Sequence, residues 1–321
     1  MNSTADDDVF SHILVGLSVT PSILFCPFIS LFLFPYFVGV NRMCRARDQR
    51  SAVFPFVSHF YRAVYFNQVL FLVCLLLMII IILITVRLNG NYLAFLAAFP
   101  IFIHTVFLLV ASYSCNVLTI LLSLHRFFLY YFPTIGNRLT PSKDTATIVI
   151  VAIYVPVTVM GVVELQRSQN NEGEETAGLF FASHVVIDVL LLLATVPYFL
   201  MMRSVQKLTH LSSSIQSKPE EYIKYQIILI FLRKLATLVS VFACQLYKSD
   251  DFSARSAVFL VAEGHCTFVA IQFAYLMTNK TNVEALLKMK FSWKMLKFVF
   301  LGAKVEVQPV VSTVSSTKLQ N

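Results

Sequence analysis

The chain has 321 residues, 57% of them hydrophobic and only 13% charged, with a mean hydropathy of +0.74. Soluble domains carry about 25% charged residues, so this composition excludes an ordinary soluble enzyme or binding module and makes lipid the main solvent. The net charge of +8 would suggest nucleic acid in a soluble protein; in a membrane chain its distribution reports topology, and no nucleic-acid partner is implied.

The start, MNSTADDDVF, is acidic and lacks the basic segment that opens a signal peptide. No cleaved leader is expected, and residues 1–11 read as an extracellular N-terminus. Asn2-Ser3-Thr4 is a glycosylation sequon that has meaning only on that side. A helix needs about 20 mostly apolar residues to cross about 30 Å of hydrocarbon. Seven stretches meet that test: 12–39, 63–86, 93–131, 145–164, 179–202, 225–247 and 256–278. The expected fold class is an all-α membrane protein, a seven-transmembrane helix bundle over residues 12–280. The third stretch is long for one span and short for two, which predicts a single tilted helix running on beyond the membrane. The sequence has neither barrel-type alternation nor an internal repeat.

The connections set the orientation. Loop 41–55 holds Arg42, Arg45, Arg47 and Arg50, with Arg62 close behind. Loop 133–144 holds Arg138 and Lys143, segment 203–224 holds Arg203, Lys207, Lys218 and Lys224, and the tail from Lys280 adds seven lysines. Eighteen basic residues lie on this side against four on the other, Arg87, Arg167, Lys248 and Arg255. The excess predicts a multi-pass plasma-membrane protein with its N-terminus outside and its C-terminus in the cytosol.

Pro219 followed by Glu220 and Glu221 opens the sixth helix, with proline in the first turn and acids at the positive dipole end. Counting from there puts Arg233 and Lys234 about 10 Å inside the inner boundary. They either snorkel to that interface or present one cation to a cytoplasmic partner cavity. Residues 281–301 read as an amphipathic helix on the inner leaflet, with Val283, Leu287, Phe291, Met295 and Phe298 on one face and lysines around them. Residues 302–321 are polar and Ser/Thr-rich, and a disordered cytoplasmic tail is expected.

Polar groups in the outer halves of the spans are the candidate ligand site. Asp188 and His184 are four apart on one face of span five, Glu263 and His265 lie in the outer third of span seven, and His104 lies in span three. Together they can line a cavity for a cation or a hydrogen-bonding small molecule, or they can serve only as interhelical partners. The six cysteines show no CxxC or Cys/His spacing, so no metal, redox centre or cofactor is implied. Nor does one depth gather the acid/His constellation that a membrane enzyme needs. A receptor that turns outside binding into inside movement is the leading reading; a ligand-gated channel or small-solute transporter is the alternative.

His125–Arg126 closes the third stretch, followed by Phe127 and, seven residues after the arginine, Pro133. This resembles the acid–Arg–aromatic motif of rhodopsin-like receptors, with histidine in the acid's place. The resemblance implies that Arg126 contacts a heterotrimeric G protein when the sixth helix swings out. It includes His125 in the coupling region, where Arg233 would join it if it faces the cytoplasmic cavity, and gives Tyr275 the place of that family's helix-seven tyrosine, although Ile271 and Gln272 replace the usual asparagine and proline. That family's extracellular disulfide is absent, with Ile101 at one cysteine position and no cysteine in loop 165–178.

Segment 34–64 sharpens the resemblance through Asn41, Arg42, Arg47, Asp48, Phe54, Pro55, His59, Phe60 and Tyr61. With RFFLYYFP, Lys218–Pro219 and the Tyr275–Leu276…Asn279–Lys280 ending, the chain resembles the nematode serpentine chemoreceptors of class Z over essentially its whole length. That implies a G-protein-coupled chemoreceptor for a small molecule, in sensory-neuron membranes and trafficked to cilia.

Overall fold

The computed structural model describes residues 3–49, 54–88, 91–138, 142–169, 182–197, 200, 228–229, 231–232, 234–236, 252–277 and 280–288. All regular structure among the described residues is helical. The elements are α1 (Ser3–Asp48), α2 (Phe54–Leu88), α3 (Asn91–Tyr131), α4 (Pro133–Arg138), α5 (Lys143–Gln169), α6 (Ala182–Pro197), α7 (Phe252–Met277) and α8 (Lys280–Lys288). Between α6 and α7, the helical residues 228–229, 231–232 and 234–236 belong to the sixth apolar stretch.

The distribution of polarity is inverted relative to a water-soluble protein. Leu76, Leu83 and Val86 of α2 and Ile148, Val155 and Val159 of α5 point outward, whereas Asn67, Gln68, Asn116, Thr119 and Gln272 are buried. An apolar exterior of that extent needs a lipid neighbour. Five helices, α1, α2, α3, α5 and α7, are long and apolar enough to cross a membrane among the described residues. Ser112, Thr119, Thr195 and Thr267 each return a hydrogen bond to a carbonyl three or four residues back, so these hydroxyls are satisfied without water.

α3 is the axis of the bundle. It runs as one helix through Pro100, as the length of its apolar run predicts, and packs against α2, α5, α7 and α4. α1 lies along α7, and side chains from α1, α2, α3 and α7, among them Phe37, Phe60, Leu118 and Phe268, share one core. Ser123 Oγ donates to the Ala194 carbonyl at 2.6 Å and ties α3 to α6. His59 Nε2 and Tyr154 Oη, 3.2 Å apart, tie α2 to α5.

At the end of the bundle where α3 stops, the chain turns at once into α4. Pro133 takes the first position of that helix, where a missing N–H costs nothing. Phe132 O accepts from Gly136 N at 2.8 Å and from Ile135 N at 3.0 Å, which folds α4 back on α3. Gly136 makes this approach possible: a Cβ there would stand 2.5 Å from Leu129 Cα. Because that neighbour is backbone, Gly136→Ala is expected to lift α4 from α3 and cost about 1–3 kcal/mol, read as a lower thermal midpoint of the purified protein.

The structure departs from the sequence reading at the end of α1. Residues 41–48, expected in a loop, continue α1. Charge is the only argument for that loop: residues 41–48 contain neither proline nor glycine, and arginines favour the negative end of a helix. In α8, Asn282 is buried while Ala285 and Leu286 pack on the core, and Leu287 points outward at 78% exposure. Leu287, on the apolar stripe expected to meet the inner leaflet, thus points away from the core. The rest of the expected amphipathic helix and the tail, 289–321, lie outside the described residues, as do Glu220, Glu221 and Arg233.

Candidate functional site

The site is built around the crossing of α3 and α7. Glu263–Gly264–His265 puts the smallest residue between two polar ones, and Gly264 lies against Leu108 and Ser112 of α3. A Cβ at Gly264 would stand 2.9 Å from Leu108 Cγ, so the helices meet closely here. One turn to either side on α3 lie His104 and Asn116, which meet His265 and Glu263 respectively.

The acids draw in a cation that sequence reasoning assigned elsewhere. Lys234, at 1% exposure among the most buried large side chains, forms ion pairs with Glu263 and with Asp188, the latter at 2.5 Å. The ammonium meets Asp188 Oδ1 directly, so that carboxylate is held by charge and hydrogen bonding together. Asn116 Nδ2 donates to Glu263 Oε1 at 3.5 Å. Four segments thus converge on one charge: α3, α6, α7 and the sixth apolar stretch. Of the two alternatives for this cation, snorkelling or a cytoplasmic partner cavity, Lys234 takes neither. Two buried carboxylates hold its ammonium more strongly than a distant interface would, since unpaired charges are costly in an apolar interior. Arithmetic could have found it: two acids inside apolar runs require a cation, and the runs offer few.

The remaining predicted ligand residues form an aromatic layer beside this cluster. His104 and His265 stack at 5.7 Å between ring centres, and Phe71 lies 5.2 Å from His104. His184 meets the Tyr113 ring edge-on at 4.7 Å. So the structure joins Asp188 with Glu263 and His104 with His265, while His184 packs on α3. All five are wholly or largely buried. A concavity of about 460 Å³ lies elsewhere, on the outward face of α5 between Thr147 and Pro156, and holds none of these groups.

The second constellation lies at the Arg126 end. Tyr275 Oη donates to Asp48 Oδ2 at 2.9 Å and accepts from Asn41 Nδ2 at 3.4 Å, while Asn282 Nδ2 donates to the Tyr275 carbonyl at 2.8 Å. Phe37 packs edge-on to the same ring at 5.3 Å. The motif residues Asn41 and Asp48, the helix-seven tyrosine and the start of α8 are one latch, a link sequence spacing alone does not reveal. Tyr275→Phe removes the shared hydroxyl and is expected to cost about 1–3 kcal/mol, read as a lower midpoint in thermal unfolding, with the aromatic packing intact. On α3, His125 and Arg126 are half-buried, and His125 faces the Gly136 backbone of α4.

Comparison with known families gives one match: the family model described as serpentine type 7TM GPCR chemoreceptor Srz covers residues 20–280. No curated protein and no solved structure gives a significant match.

Proposed function

Because the chain belongs to the serpentine type seven-transmembrane chemoreceptor family Srz, we propose that it detects a small molecule from outside the cell and activates a heterotrimeric G protein inside it. In this reading the N-terminus is extracellular and the Arg126 end faces the cytosol, in keeping with the eighteen-to-four excess of basic residues. The spans number seven, 225–247 being the sixth, and residues 281–301 rest on the inner leaflet. The ligand site comprises Asp188, Glu263, His184, His104 and His265; Arg126, His125, Pro133, Tyr275 and Arg233 serve coupling.

The observation that carries the proposal is Lys234 buried between Asp188 and Glu263. A receptor needs two states whose balance a ligand can shift. Here one side chain fastens the sixth span to α6 and α7 at the proposed ligand site. Releasing it frees the sixth span, whose far end lies beside Arg126 in this reading. His125 stands where related receptors keep an acid beside the arginine, and the Lys234 clamp supplies a resting restraint at a different level of the bundle.

The test is expression in a heterologous cell with a promiscuous G protein, with odorants added to the medium. A dose-dependent signal, lost in Arg126→Ala at equal surface expression, is expected. Silence of the well-expressed protein across a broad panel, with Arg126→Ala indistinguishable from it, would sink the proposal.

A further inference from the structure

The occupant of the acid pair indicates the chemistry of the ligand. The Asp188–Glu263 site already holds an ammonium, that of Lys234, delivered on a tether. Among the described groups at the cluster, two carboxylates face one cation, so the site keeps an excess of negative charge when all are ionised. Asn116, at 1% exposure, gives its amide N–H to Glu263, while its carbonyl Oδ1 has no hydrogen-bond partner among the described residues. A buried carbonyl beside two carboxylates is an acceptor set for N–H donors. His184, on α6 one turn from Asp188, adds a ring that meets Tyr113 edge-on. Leu108 of α3 lies against Gly264, the residue next to Glu263.

We infer that the ligand is an organic cation, a primary or secondary amine of low molecular weight, whose ammonium replaces that of Lys234 between Asp188 and Glu263. This rests on the receptor reading above but concerns only what the site binds. An anion would meet two carboxylates, and a neutral polar molecule would leave Lys234 in place. An ammonium on a short apolar tail satisfies the same acceptors, occupies the volume that the lysine head leaves, and breaks the tether to the sixth span. Agonism is thus competition between a free and a tethered cation. The tether gives Lys234 a high effective concentration, so the wild-type protein binds the amine weakly.

Competition has a signature independent of G-protein coupling. Purified full-length protein in detergent is titrated with n-butylammonium chloride while its thermal unfolding midpoint is followed; n-butanol and sodium butyrate serve as matched neutral and anionic probes. Lys234→Met removes the competitor. The double variant Lys234→Met/Glu263→Gln removes one charge of each sign and serves where the single variant does not fold. The amine alone should stabilise the wild type. Its half-saturating concentration should fall about tenfold or more in either variant, because the internal competitor is gone. Adding Asp188→Asn to the double variant should abolish the shift. An unchanged or higher half-saturating concentration without Lys234, or equal shifts from butanol or butyrate, would overturn the inference. The receptor reading would survive that result if neutral or anionic odorants still drive signalling in cells, and would fall only if none does.

Discussion

Replacing Lys234 by methionine should raise signalling in the absence of ligand about tenfold or more, equivalent to about 1.4 kcal/mol in the balance of resting and active states. Methionine keeps most of the apolar stem and removes the charge. Asp188 and Glu263 then lose their shared cation within a buried site, and removal of one partner from such a cluster costs about 3–5 kcal/mol. That cost falls on the closed state, in which both carboxylates are dehydrated; any arrangement that rehydrates them is favoured. Lower surface expression should accompany the rise. Neutralising all three, Lys234→Met with Asp188→Asn and Glu263→Gln, should restore most of the expression, because no uncompensated charge remains, yet leave basal signalling high. Basal activity per receptor at the cell surface, with each variant normalised to its own expression, measures the effect.

Arg126→Ala is expected to have the opposite outcome: signalling lost, ligand binding changed by less than about threefold, and stability nearly unchanged. Arg126 is half-buried at the end of α3, beside α4 and far from the Lys234 cluster. A half-exposed cation contributes little to stability, whereas a guanidinium offers five donors in a rigid fork that suits a partner's carbonyls and carboxylates. Arg126→Lys should therefore recover only part of the response. Combining the two changes is informative: Lys234→Met/Arg126→Ala should be silent, because releasing the sixth span is of no use without the contact. Dose–response curves for signalling, set beside equilibrium binding on the same membranes, separate the two roles.

Much of the architecture was legible in the sequence because lipid imposes long apolar runs. The length of 93–131 announces one continuous α3, and the acids and histidines inside apolar runs are recognisable in the sequence as buried polar groups. What the sequence withheld is azimuth. Counting residues from Pro219 sets Lys234 nearer the inner boundary than Asp188 and Glu263 and says nothing of the face on which it emerges, so its attraction to them is not legible in the sequence. The same limit hid the latch. Asn41 and Asp48 stood out as motif residues, and Tyr275 as the end of a helix, yet only the approach of α1 to α7 puts the three within hydrogen-bonding distance. Residues 41–48 differ from the loop expectation for a related reason: a run of arginines reports which side of the membrane a segment occupies, and it says nothing against helix. His59, Phe60 and Tyr61 belong to the packing, with His59 on Tyr154, Phe60 in the core and Tyr61 stacked on Phe37 at 5.5 Å. A motif residue in this chain can be a pin between helices as readily as a contact for a partner.

The most direct test of the clamp is charge exchange. Lys234→Glu alone gathers three acids, and Glu263→Lys alone puts two lysines beside one acid; each should raise basal signalling about tenfold or more. Lys234→Glu combined with Glu263→Lys restores the attraction across the same helices with its sign reversed. Basal signalling of the exchanged protein should return to within about threefold of wild type, a coupling that distant, independent sites do not show. If basal signalling in the exchanged protein instead equals or exceeds the sum of the two single increments, the ion pair does not hold the resting state.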